Sequence, residues 1–255
     1  MIIVKTLRTA NICSMFMIGK WVLVGLLLLV LIVPVHAATK AIEMYGGRWS
    51  DSTIGVKIPV TPAWMKAAVL DAMEVWNQAQ KWFAQKYFPD GKVYTLVASD
   101  TGKVVVRFQN LSQGVKYCTL GQDTVPSRSG TTIRGALMVL TGYCQNQALN
   151  RNLVYLVAIH EFGHALGIGH VNFEEPHDMM RVWFEPDWQI STLDLYAIHV
   201  LASGSAPSQI LTLPDNMPYE LVPFSAIPEF PTTIMALLLP MLLVTVLLRK
   251  RISTK

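Results

Sequence analysis

The stretch HEFGHALGIGH, residues 160–170, carries three of the chain's six histidines and one glutamate within eleven positions. On a helix, His160 and His164 are four apart and share a face, so both imidazoles can reach one ion. Glu161 stands beside them, placed to hydrogen-bond a water held there. Gly167 ends the helix, since glycine takes the left-handed conformation at no side-chain cost. The turn it makes swings His170 back toward the first two histidines. Three neutral imidazoles with a fourth position open is the donor set of a catalytic zinc site. The competing reading is an apolar core helix that carries histidines by chance. Five specified residues match H-E-x-x-H-x-x-G-x-x-H, a pattern average usage supplies in roughly one chain in 10⁵. Three unpaired histidines would also be costly to bury. The metal reading is preferred.

The residues around this stretch set the fold class. The apolar run NLVYLVAIHEFGHALG (152–167) is long enough to carry the motif on a full helix. Upstream, Ile54, Val56 and Ile58 alternate with Gly55 and Lys57, as in a strand with one buried face. Thr61 before Pro62 marks a helix start, and Met65, Val69, Met73, Trp76 and Phe83 then recur at helical spacing as a core stripe. Two strands, 94–99 and 103–110, flank Asp100-Thr101-Gly102, which reads as a hairpin turn. GALMVLTG (135–142) is a further strand. A last helix begins at Ser191, with Asp194 completing a capping box. Strand, helix, strands, helix, loop and helix make an α+β arrangement with one sheet.

The motif resembles that of the metzincin zinc endopeptidases, and three further stretches resemble the matrixin branch: RWSDSTIGVKI, DAMEVWNQ and STLDLYAIHVL. HDMMRV (177–182) supplies the methionine turn of that family, with Met180 favoured over Met179. The resemblance implies a single mixed twisted sheet with an active-site helix, the methionine turn and a C-terminal helix. It implies one catalytic zinc held by His160, His164 and His170, with Glu161 as general base. A protein or peptide substrate would lie extended against 135–142 as an edge strand, bringing in Leu137 and Val139. Trp183 and Phe184 follow the methionine turn where the family builds its specificity wall, with core packing an equal alternative. The chain departs from the family in having no cysteine-switch prodomain and no room for one between Ala37 and Trp49. It has no histidine before residue 160, apart from His36, to hold a second zinc, and calcium sites are not readable. His177 and His199 are read as surface or packing residues.

The ends of the chain indicate where such an enzyme works. WVLVGLLLLVLIV (21–33) follows Lys5, Arg8 and Lys20 and precedes small residues at Val35 and Ala37, so 1–37 reads as a secretory signal. TTIMALLLPMLLVTVLL (232–248) is 17 residues closed by a basic cluster, the lower limit for a bilayer span. The cluster at 249–255 should stay cytoplasmic, leaving everything before it outside. PEFP (228–231) before that helix resembles the archaeal PEF-CTERM sorting tag, which implies archaeosortase processing. The organisation expected is therefore a domain over 38–203, a proline-rich stalk over 204–231, and a membrane anchor. Cys118 and Cys144 remain after the signal, and in an exported domain pair most simply as one disulfide worth roughly 3 kcal/mol.

Charge supports the same view. The formal net charge of +4 and the high isoelectric point come from the termini. Between 38 and 230 stand 14 basic and 17 acidic residues, with no basic stripe for nucleic acid. Two other functions were weighed. A non-enzymatic surface module could keep zinc for stability, but would not need Glu161. An intramembrane protease would need a span before the motif, and only Leu153 to Ile159 are available.

Overall fold

Gly55 and Gly102 lie back to back, and that contact explains the unexpected start of the main sheet. The computed structural model describes residues 39–111, 120–122, 124–144, 147–175, 177–183, 187–205 and 209–222. Strands β2 (Thr53–Lys57), β3 (Thr95–Ala98) and β4 (Val104–Leu111) open the main sheet in the order β3-β2-β4, all parallel. The expected hairpin at Asp100-Thr101-Gly102 is thus absent: the chain leaves β3, crosses over β2, and enters the sheet on the other side. A Cβ on Gly102 would stand 2.6 Å from the Gly55 carbonyl carbon, so the two backbones cross this closely only because residue 102 is glycine.

The sheet continues through β7 (Thr132–Cys144), parallel to β4 over eight residue pairs, and ends on β5 (Gly121–Gln122). Short strands β6 (Ser127–Ser129) and β8 (Gln147–Ala148) also pair with β7, antiparallel. The expectation that 135–142 forms an edge is therefore corrected. β7 is interior, because Val139 and Leu140 already stand paired opposite Gln122 and Gly121 of β5.

Helix α1 (Ala63–Tyr87) buries the stripe foreseen for it: Met65, Val69, Met73, Trp76 and Phe83 are all in the core. It starts from Pro62 at the N-cap with no side-chain cap, so Thr61 does not serve as one. Trp76 fastens α1 to the second helix, α2 (Arg151–Leu166), by donating its indole N–H to the Ile159 carbonyl at 2.8 Å. Removing such a buried indole typically costs 3–5 kcal/mol. Asn150 caps α2 by accepting from the Asn152 amide, and Gly167 closes it at φ 114°. Helix α3 (Thr192–Ala202) begins with the reciprocal Ser191–Asp194 capping box read from the sequence.

A second, three-stranded sheet has the order β10-β1-β9. It joins β1 (Ala41–Met44), β9 (Ile168–Val171) and β10 (Ile210–Thr212), all antiparallel. This corrects the proposed stalk over 209–222, while 223–231 lie outside the described residues. Residues 209–222 pack on the domain, with Val222 buried, Val222 N–H donating to Ile190 O, and Thr192 N–H donating to Glu220 O. Prolines there had suggested free extended chain. Pro214 and Pro218 instead stand between backbone groups that find partners in the fold. Among the described residues no helix is long and apolar enough to cross a membrane. Residues 1–37 and 232–255 lie outside those described, as do Cys118 and Phe184; Cys144 is disulfide-bonded.

Candidate metal centre

Helix α2 presents His160 and His164 one turn apart, with ring centroids at 4.6 Å. The left-handed turn at Gly167, whose N–H returns to the His164 carbonyl, sends the chain into β9 and brings His170 to 4.7 Å from His164 and 5.4 Å from His160. One ring nitrogen from each histidine falls within 4.8 Å of the others. The three residues singled out by spacing are therefore brought together.

Backbone carbonyls orient two of the rings. His160 Nδ1 donates to Met179 O at 2.6 Å, and His164 Nδ1 donates to Ile168 O at 2.9 Å. With Nδ1 engaged as a donor, Nε2 is left as the lone-pair nitrogen of each ring, the tautomer a metal needs. Tyr45 brings its hydroxyl to 3.2 Å from His164 Nδ1. Burial keeps the imidazoles neutral: it pushes His160 down to about 4 and His164 well below the ordinary histidine value, with His170 lowered as well. Trp188 stacks on His160 at 4.9 Å and 17°, closing one side of the ring. Two soft-borderline nitrogens fixed by carbonyls, and a third from an independent strand, fit zinc in donor type and number.

Glu161 is buried beside this cluster, and its surroundings were not foreseen. Thr124 donates its hydroxyl to Glu161 Oε2 at 2.5 Å. Gly121 of β5 lies over the other oxygen, and a Cβ there would run into Oε1. No local signal marks either residue, since Gly121 in β5 and Thr124 just beyond it reach Glu161 only through the sheet. The same contact shows that β5, the last strand of the sheet, borders the site.

Met179 and Met180 are both fully buried. They face different ways in effect: the Met179 carbonyl serves His160, whereas a Cβ on Gly163 of α2 would run into Met180 Sδ. The sulfur under the helix is thus that of Met180. Trp183 is 73% exposed, and so is not part of the core. Leu137 is exposed and Val139 half-buried on the interior strand β7. His177 Nδ1 lies 2.9 Å from Asp187, and His199 stacks on Phe88 at 4.1 Å; neither joins the cluster.

The family model for the matrixins matches residues 52–202, well over half the chain, from β2 to the end of α3. No curated protein matches the chain significantly.

Proposed function

The chain belongs to the matrixin family of zinc metallopeptidases, and we propose that it is an endopeptidase working outside the cell, tethered to the membrane by its C-terminal segment. The observation that carries the enzymatic reading is the convergence of His160, His164 and His170 within 4.8 Å beside a buried glutamate. In this reading the three histidines hold the ion. Zinc, when bound, supplies Lewis acidity toward the scissile carbonyl and makes water nucleophilic at neutral pH.

Glu161 performs the proton transfers. Its carboxylate takes the proton of the water that attacks the carbonyl carbon, then delivers it to the amide nitrogen as the C–N bond breaks. Thr124 donates to Oε2 and so fixes the rotation of the carboxylate that takes up the proton. The Glu161 carboxylate lies tight against Gly121, where any side chain would displace it. An extended peptide would add to β5 rather than to β7, because β5 ends the strand order and touches the site. Exposed Val182 and Trp183, just past the methionine turn, are available to its side chains.

Export rests on the signal-like run at 21–33, and tethering on the apolar run at 232–248 with its basic end. PEFP at 228–231 favours sortase-type processing of that tail and an archaeal source. The test is a metal analysis with peptide-library digestion of wild type and Glu161→Gln. Wild type should bind one zinc and cleave, and chelators should stop it. Glu161→Gln should keep the zinc and lose turnover by roughly 10²–10⁴-fold. Undiminished hydrolysis in that variant would refute the assigned base.

A further inference from the structure

The family match ends at residue 202, yet the chain beyond it reaches the metal centre. Residues 209–222 return along the domain: Met44 N–H donates to Gln209 O, β10 pairs with β1, and Thr192 exchanges hydrogen bonds with Pro218 and Glu220. This path carries Tyr219 to the underside of the methionine turn. There the ring packs edge-on against Phe173 at 5.3 Å and under the Lys40 ammonium at 3.9 Å.

The Tyr219 hydroxyl donates to Asp178 Oδ2 at 2.7 Å. Asp178 is fully buried, and its other oxygen accepts from the Met180 amide at 2.8 Å. The carbonyl of that same peptide unit and the next carbonyl along the chain both face the cluster's supports. Met179 O accepts from His160 Nδ1, and Met180 O accepts from Val171 N–H, next to His170. One carboxylate therefore links Tyr219 to the turn that orients His160 and holds the backbone beside His170. A buried carboxylate that loses a donor must move or find another partner, and the Met180 amide is bonded to this one.

We propose that Tyr219 is a positioning residue for the metal centre, holding His160 in its ion-binding orientation through Asp178 and the Met179–Met180 peptide. The catalytic unit then includes a segment outside the family domain. This inference rests on the zinc-peptidase reading above.

The test uses the full chain, with Zn²⁺ as the probe in competition with a chelating dye. Tyr219→Phe keeps the ring and removes only the hydroxyl. It should weaken zinc binding by about tenfold or more and lower kcat at saturating zinc with KM little changed. Asp178→Asn breaks the same bridge from the other side and should act alike. Lys86→Ala removes the ion pair to Glu220, and so loosens the same segment without touching the bridge. It should leave zinc affinity at the wild-type level. Zinc affinity unchanged in both bridge variants, or lowered equally by Lys86→Ala, would overturn the proposal while leaving the peptidase reading intact. A wild type with no zinc affinity would overturn both.

Discussion

Thr124 and His160 show how single side chains set the chemistry. A hydroxyl donating to Glu161 Oε2 fixes the carboxylate's rotation beside the histidine cluster. Thr124→Val, close in shape, should lower kcat by about tenfold with KM nearly unchanged, and Thr124→Ser should restore most of it. Steady-state kinetics on the three proteins checks this. His160 makes a prediction about pH. Burial holds it near 4 in the metal-free fold, whereas in the unfolded chain it titrates near 6.5. The unfolded chain therefore takes up a proton first as pH falls, so stability is full above pH 6.5 and is lost toward pH 4. Asp178 runs the other way, since burial raises it to about 6 and the fold gains from its protonation below that. Thermal midpoints of the metal-free protein at pH 7 and pH 5 should separate the two. On going from pH 7 to pH 5 the midpoint should change by several degrees more in the downward direction in wild type than in His160→Gln.

At the level of elements, the junction of α2 and β9 matters most. Gly167 at φ 114° turns the chain so that His170 comes back beside α2, and a side chain there would meet Gly47 O and Leu201 at 3.0 Å. Gly167→Ala should cost about 1–2 kcal/mol of stability from the left-handed backbone alone, with further loss from crowding. Zinc occupancy should fall alongside, because the turn and the third donor move as one. Denaturant unfolding and metal analysis of the same sample test both parts. The motif spacing foresaw this junction, because helix period and glycine conformation are local properties. The β3–β2–β4 crossover was not foreseen. A five-residue connection with Asp-Thr-Gly reads locally as a hairpin, and only contact with the distant β2 backbone shows that Gly102 lets the chain pass over it instead.

Across the molecule, the ordered unit reaches further than the family domain at both ends. β1 and β10 flank the strand that carries His170, and the segment to residue 222 closes under the methionine turn. A fragment covering 39–222 should therefore fold and bind zinc, whereas one ending at 203 should melt markedly lower and bind zinc weakly. Circular dichroism melts with and without Zn²⁺ distinguish them, and equal behaviour of the two fragments would contradict the packing seen here.

The residues that form the cluster, their donor chemistry and the α+β class were determined by the sequence itself. Each depends on spacing within one helix, on the conformational freedom of one glycine, or on alternation along one strand. Three things were decided only by tertiary structure: which strand borders the site, what touches Glu161, and where the domain ends. Each depends on partners far apart in the chain. β5 rather than β7 ends the sheet because Gly121 and Gln122 return to pair with Leu140 and Val139. Proline-rich residues 209–222 join the fold because β1, Ile190 and Thr192 offer them backbone partners that composition cannot reveal.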